Sequence, residues 1–134
     1  MNLLITGAWR DADAHLSEIE NMGHQVVRMQ WEKDPLPCEA SWVEGIIGNG
    51  IFLHHPIQTF PNLKYIQLTS AGTDRIDMDE IKNRGIVLHT AKGVYSIPMA
   101  EYAVGAALQL YNSFRLSHRA RSSINGIKYA LSVN

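Results

Sequence analysis

Short apolar runs alternate with polar segments of helical spacing along most of the chain. Several of these runs stop at a glycine or another small turn residue, as a buried strand of four to eight residues does. The runs predict five strands, at residues 2–6, 24–29, 43–47, 63–69 and 86–89. The spacing between them predicts helices over residues 11–22 and 78–83, followed by Gly23 and Gly85 in the position of a helix C-terminal glycine. Residues 31–41, which contain two prolines, are predicted to be a loop or a short helix.

A long helix is predicted from Ser96 to about Arg121, with Pro98 in its first turn, where proline is tolerated. Its first three turns are apolar on nearly every side, and such a helix is expected to be covered on more than one face. One small sheet covers a single face. We therefore expect a homodimer through the helix that starts at Pro98.

The alternation of strands and helices predicts βαβ units and a parallel sheet. Five strands with the first in a central place indicate a flavodoxin-like, doubly wound sheet. The predicted organisation is a flavodoxin-like domain over residues 1–97, a connecting helix over residues 98–121 and a weakly patterned tail over residues 122–134.

Composition narrows the class of protein. The chain has 134 residues, of which 46% are hydrophobic, and this suffices for one domain with its own core. The formal net charge of -1 gives no field that would attract nucleic acid or an anionic membrane. Cys38 is the single cysteine, and no apolar run approaches the roughly 18 residues of a membrane helix. A cytoplasmic protein is expected.

Two turns at predicted strand ends carry unusual chemistry. One is the glycine-rich turn at residues 48–50, and the other is the run of small residues at 70–74. Small residues let successive peptide N–H groups converge on one point, and such a concavity holds an anion without a charged side chain. The alternative is that both are simple tight turns, with Asp74 bonding nearby backbone.

The stretch from Leu63 to Tyr111 resembles a signature region of the D-isomer-specific 2-hydroxyacid dehydrogenases. The matching elements stand in the family's order and spacing. They are Leu63-Lys64, Ser70-Ala71-Gly72, Asp74 and Asp77, Arg84-Gly85-Ile86, Gly93-Val94-Tyr95-Ser96 and Ala100-Glu101. The similarity spans about residues 1–121, but residues 2–62 carry no sharp motif.

The resemblance implies a site for a small 2-hydroxy or 2-oxo acid. In that arrangement the peptide N–H groups of Ala71 and Gly72 grip the substrate carboxylate, and Asn49 and Gly50 flank the same pocket. Ser70 and Thr73 belong to the gripping turn. Tyr95 stands at the hinge to a second domain, where it contacts substrate or only packs, and Ser96 is a helix cap rather than a catalytic hydroxyl.

Members of this family carry the rest of their machinery in a second domain. That domain holds the glycine-rich fingerprint for NAD or NADP and the catalytic arginine, glutamate and histidine. No GxGxxG sequence occurs in this chain. We therefore assign no catalytic, cofactor-binding or metal-binding residue, and we expect neither cofactor to bind this chain alone. The chain is expected to be truncated before the dinucleotide-binding domain.

Three hypotheses remain at this stage. The first is the substrate-binding portion of an NAD(P)-dependent oxidoreductase, inactive alone. The second is a stand-alone flavodoxin-like module that binds a small acid or a partner without redox activity. A receiver-type signalling domain ranks last, because it needs an acidic cluster after the first strand and an aspartate after the third, and residues 7–10 and 48–50 supply neither.

Overall fold

The computed structural model describes the backbone of residues 1–131 and the side chains of residues 1–113. The chain divides into two compact units, Met1–Val94 and a second that begins at Tyr95. The first unit holds a five-stranded sheet. Its strands are β1 (Asn2–Thr6), β2 (Gln25–Met29), β3 (Gly45–Gly48), β4 (Tyr65–Leu68) and β5 (Val87–His89).

All neighbouring strands pair in parallel, in the order β2-β1-β3-β4-β5. This is the order of a flavodoxin-like doubly wound sheet, and the predicted fold class is confirmed. The middle strand is β3, whereas the sequence predicted β1 in the centre; β1 lies next to it, between β2 and β3. Because every strand runs the same way, the loops that follow the strands meet at one edge, which we call the carboxyl edge.

The core lies on both faces of the sheet. Leu4 of β1 belongs to a large cluster that includes Ile46, Phe60 and Ile66, all with no exposed surface. Its neighbours Leu3 and Ile5 point to the other face and pack with Ala12. A parallel strand that is covered on both faces reads as a continuous apolar run, which is why β1 was recognisable from the sequence.

The helices depart from the prediction mainly at their ends. The first is a 3-10 turn (Ala12–His15) that leads into α1 (Leu16–Asn21), and the second is α2 (Met78–Arg84). Within the predicted loop at residues 31–41, a short 3-10 turn begins at Ala40. Two more 3-10 turns, Ile51–Leu53 and Ile57–Thr59, lie between β3 and β4.

The long helix α3 (Ser96–Leu131) begins where the sequence predicted but continues past Arg121, so the predicted end was wrong. No proline follows Pro98, and the weak hydrophobic pattern of the last turns does not by itself stop a helix. No helix within the described residues combines the length and apolar character needed to cross a membrane.

α2 carries both of its terminal signals. The Asp77 carboxylate accepts hydrogen bonds from the backbone N–H groups of Asp79 (3.1 Å) and Glu80 (3.0 Å). Gly85 has a φ of 65°, a left-handed conformation in which it closes the helix as predicted. Asp77 and Gly85, which are among the residues that carry the family resemblance, therefore stabilise the two ends of α2 and set where the chain enters β5.

An ionic contact holds the opposite edge of the sheet. The Glu44 carboxylate accepts from the backbone N–H of Asn2 (3.0 Å) and from Lys64 Nζ (2.7 Å). The Lys64 hydrogen bond, followed by the Asn2 N–H, holds the pKa of Glu44 below its ordinary value. A carboxyl group with a lowered pKa in the folded state stabilises the fold above its ordinary pKa, and that contribution is lost as the pH falls through the folded-state value.

The Asp77 cap gives the first testable prediction. Asp77→Ala should lower the free energy of unfolding by about 1 kcal/mol, because two N–H groups at the start of α2 lose their acceptor. Asp77→Asn, which keeps a capping oxygen, should cost only a few tenths of that amount. Urea denaturation measures both, and equal losses in the two variants would contradict the capping role.

Candidate functional site

The carboxyl edge is where an open parallel sheet binds its ligands. The register places Thr6 beside Met29 and Gly48 beside Leu68. The backbone N–H of Thr69 also donates to the carbonyl of Gly48 at 2.9 Å. The turn after β3 and the turn after β4 therefore start side by side, and both sequence-predicted turns lie at this edge.

The turn after β3 binds an anion that the chain itself supplies. Glu32 Oε1 accepts from the Thr6 hydroxyl and from the backbone N–H of Asn49, each at 2.7 Å. Glu32 Oε2 accepts from the backbone N–H of Gly50, also at 2.7 Å. Short hydrogen bonds to a charged acceptor are among the stronger ones in proteins. The concavity predicted from the glycine pattern is present, and Glu32 occupies it.

Gly48 makes room for this arrangement. A Cβ atom on Gly48 would lie 2.7 Å from Glu32 Oε1 and 3.1 Å from the Thr6 hydroxyl oxygen. Thr6 itself is fully buried, so its side chain has no space to move away, and the carboxylate would have to give up its place. The glycine is therefore needed for close approach of the carboxylate to the end of β1.

Sequence reasoning missed Glu32, which lies in the segment predicted as loop. A signal was present in its position. Glu32 follows the end of β2 by three residues, and β2 pairs with β1 in a parallel sheet. An acidic residue there falls at the same edge as the glycine turn, and its charge suits a cradle of N–H groups.

The turn after β4 is built differently. Ser70 Oγ donates to the carbonyl of Gly72 at 3.2 Å, and the backbone N–H of Ala91 donates to the carbonyl of Ser70 at 2.9 Å. Ala71 and Gly72 are exposed. Within the part of the chain whose side chains are described, no hydrogen bond uses the N–H of either residue. Both donors are thus open to a ligand.

The alternative interpretation of this turn placed Asp74 as the group that ties it down. A Cβ atom on Gly72 would lie 2.9 Å from Asp74 Oδ1, so this carboxylate does sit close to the turn. Over residues 1–113, however, no backbone N–H donates to it. Thr73 instead stabilises the end of the turn, where its carbonyl accepts a hydrogen bond from the N–H of Ile76 at 3.1 Å.

Two further predicted residues have distinct settings. Asn49 is half-buried, and its side-chain oxygen is buried without a hydrogen-bond partner among the described residues. A buried acceptor of this kind favours a nearby donor. Tyr95 belongs to the second unit, where 48% of it is exposed.

The N–H groups of two glycine turns, after β1 and after β3, already have acceptors within the chain. The N–H of Gly7, after β1, already donates to the carbonyl of Met29 at 2.8 Å, and a Cβ atom on Gly7 would collide with the carbonyl oxygen of Gln30. Gly7 thus packs against the segment after β2. The N–H groups after β3 are taken by Glu32. Neither turn offers the free N–H groups at a helix N-terminus that a pyrophosphate needs.

The histidines discussed within residues 1–113 have local partners or lie on the surface. His55 Nε2 is 2.9 Å from the carbonyl oxygen of Asp34, and His54 is exposed. The ring of His89 packs on that of Tyr65, with 5.7 Å between centroids. Among the described side chains, no three His, Cys, Asp or Glu residues gather as metal ligands would. His118 lies outside the described side chains.

Comparison with known proteins adds a family. The model of the "D-isomer specific 2-hydroxyacid dehydrogenase, catalytic domain" matches residues 13–131. Erythronate-4-phosphate dehydrogenase of Pseudoalteromonas atlantica is 36% identical over 45 residues, which are 34% of this chain and 12% of that protein. The enzyme of the same name from Psychromonas ingrahamii is 42% identical over 48 residues, 36% of this chain and 12% of that protein.

Solved structures share the fold. NAD-dependent formate dehydrogenase from Staphylococcus aureus, in complex with NAD, aligns with a TM-score of 0.70 at 20% identity, over 89% of this chain and 41% of that one. NADPH-dependent glyoxylate/hydroxypyruvate reductase from Sinorhizobium meliloti, in complex with NADP and malonate, aligns with a TM-score of 0.64 at 22% identity. The alignment covers 80% of this chain and 33% of that one. The chain thus spans less than half the length of these enzymes.

The Glu32 contacts predict a large loss of stability on substitution. Glu32→Ala leaves the Thr6 hydroxyl and the N–H groups of Asn49 and Gly50 without an acceptor. We expect the free energy of unfolding to fall by about 3 kcal/mol, since a buried donor left unpaired costs about 1 to 3 kcal/mol and water will recover part of the loss at these partly buried positions.

Glu39→Ala is the matched control, because Glu39 is exposed and lies in the same loop. Its cost should stay below about 0.5 kcal/mol. Chemical denaturation of both variants gives the comparison, and a Glu32→Ala loss as small as that of the control would show that the three contacts do not stabilise the fold.

Proposed function

The chain belongs to the D-isomer specific 2-hydroxyacid dehydrogenase family, and we propose that it is the substrate-binding portion of an NAD(P)-dependent oxidoreductase. The reaction proposed is oxidation of the CH–OH group of small D-2-hydroxy acids, or reduction of the matching 2-oxo acids. The observation that supports it is the pair of unused N–H groups at Ala71 and Gly72. Unpaired backbone donors in a turn of small residues suit a carboxylate, which all these acids share.

Each predicted residue takes a role that follows from its contacts. Ala71 and Gly72 donate to the substrate carboxylate, while Ser70 and Thr73 hold their turn in shape. Asn49 and Gly50 form the neighbouring wall. Their own N–H groups are committed to Glu32, so both residues are proposed to shape this wall without donating to the substrate carboxylate. Tyr95 is proposed as a further substrate contact.

Hydride transfer belongs to a nicotinamide cofactor, which NAD or NADP supplies when bound. The solved Staphylococcus aureus and Sinorhizobium meliloti structures hold NAD and NADP respectively. No GxGxxG sequence occurs in these 134 residues, and we propose that the cofactor site and the catalytic arginine, glutamate and histidine belong to a second domain. On this proposal the chain alone performs no turnover. The single cysteine and the acid substrates suit the cytoplasm.

The second candidate is a stand-alone module that binds a small acid, or a partner, without redox activity. The turn after β4 favours it, because that turn is complete within the compact unit Met1–Val94. The genomic DNA sequence beyond codon 134 distinguishes the two candidate functions. A glycine-rich fingerprint followed by arginine, glutamate and histidine codons beyond codon 134 supports the enzyme, and the absence of any such region supports the module.

Titration of small acids onto the ¹⁵N-labelled chain tests carboxylate binding. Glyoxylate and pyruvate should shift the amide proton signals of Ala71 and Gly72 in a saturable way, because these N–H groups gain an acceptor. The signals of Asn49 and Gly50 should move little. Pyruvamide, which lacks the carboxylate, is the matched control and should leave all four unchanged. Unmoved Ala71 and Gly72 signals at saturating acid would refute the proposed function.

The second unit gives a prediction about assembly. Among the described side chains of α3, the exposed large apolar ones are Ile97, Met99, Tyr102, Val104, Leu108, Leu110 and Tyr111. A patch of this kind is typical of an interaction site. We propose a homodimer through the part of α3 that starts at Pro98.

Light scattering at micromolar concentration should give the mass of a dimer. Leu108→Glu should convert the dimer to monomer. Gln109→Glu adds the same charge at the next position and should leave a larger fraction of dimer than Leu108→Glu does. A monomeric parent chain, or equal effects of the two substitutions, would rule out this interface.

A further inference from the structure

The two turns at the carboxyl edge both present backbone N–H donors, but those of one turn are hydrogen-bonded within the chain and those of the other are not. The turn after β3 presents the N–H groups of Asn49 and Gly50, both bonded to Glu32. The turn after β4 presents those of Ala71 and Gly72, which no described hydrogen bond uses. The turns start next to each other, because the N–H of Thr69 donates to the carbonyl of Gly48. A small acid that enters this edge therefore meets two potential cradles.

Glu32 fills the first cradle with both of its oxygens. Oε1 accepts two hydrogen bonds and Oε2 one, all at 2.7 Å. This is the contact set that a bound carboxylate or phosphate would make in an anion site. The side chain thus has the geometry of a ligand rather than of a surface glutamate.

Arg75 adds positive charge beside the same turn. A Cβ atom on Gly50 would lie 3.3 Å from Glu32 Oε2 and 3.7 Å from Arg75 Nη1. Without Glu32, the cradle would present two N–H groups, the Thr6 hydroxyl and a nearby guanidinium. Such a set attracts an anion from solution.

We propose that Glu32 is a built-in anion that closes the cradle after β3 to external acids and so directs the substrate carboxylate to Ala71 and Gly72. The directing role rests on the proposed function, but the closure of the cradle does not. An acid bound after β3 would meet the Glu32 charge, and like charges at contact distance repel strongly in a partly buried setting. Glu32 is therefore a specificity-determining residue that itself need not touch the substrate.

Removal of Glu32 should expose the cradle to a matched probe. Glu32→Ala deletes a CH₂–COO⁻ group, and acetate has the same shape and charge. Acetate should shift the amide signals of Asn49 and Gly50 in this variant and leave them unchanged in the parent chain. It should also raise the Tm of Glu32→Ala by about 4 °C more than that of the parent chain, because it binds the folded state. Acetamide, the neutral analogue, should do neither.

Two controls keep the test decisive. Glu32→Gln still fills the cradle, so acetate should leave its Asn49 and Gly50 signals in place. If Glu32→Ala does not fold without an added anion, the folded fraction in acetate against acetamide becomes the readout, and acetate should give the higher fraction. Equal fractions in the two, zero included, overturn the proposal. So does a folded Glu32→Ala chain whose Asn49 and Gly50 signals ignore acetate.

Glyoxylate tests the directing role. It should shift Ala71 and Gly72 alone in the parent chain and both pairs of signals in Glu32→Ala. Shifts at Asn49 and Gly50 in the parent chain would overturn the role of Glu32 and leave the proposed function standing. Unmoved Ala71 and Gly72 signals, together with acetate binding in Glu32→Ala, would instead remove the proposed function and leave the closed cradle.

Discussion

The Glu32 carboxylate sets the geometry of the carboxyl edge, because it joins three separate parts of the chain. It reaches from the loop after β2 to the end of β1 and to the turn after β3. Thr6 is fully buried, so its hydroxyl needs an acceptor within the protein. Gly48 lacks a side chain and leaves the space in which that acceptor fits. The turn after β3 is consequently fixed before any ligand arrives.

This constraint explains why the similar turns after β3 and β4 have different roles. Both follow strands of one parallel sheet, and both offer peptide N–H groups at its edge. An internal carboxylate uses those after β3, where they stabilise the fold. The donors after β4 stay open to solvent, where a ligand can use them. Backbone donors suit recognition of a small acid, since N–H groups bind the carboxylate and do not read the rest of the molecule.

The sequence predicted the features that depend on neighbours along the chain. Apolar runs located the strands, and glycines located the ends of helices, because Gly23 and Gly85 do adopt positive φ. The parallel sheet and its fold class also followed from the βαβ pattern. The role of Glu32 did not follow, since it depends on contacts with residues 26, 17 and 18 positions away. The end of α3 was predicted too early because a weak hydrophobic pattern does not by itself end a helix.

The central claim is that a substrate carboxylate binds the N–H groups of Ala71 and Gly72 while Glu32 keeps its own cradle. A crystal structure of the chain soaked with a 2-oxo acid tests this most directly. The account predicts carboxylate oxygens within hydrogen-bonding distance of both of these nitrogens, with all three Glu32 contacts intact. An acid found on Asn49 and Gly50, with Glu32 displaced into solvent, would contradict it.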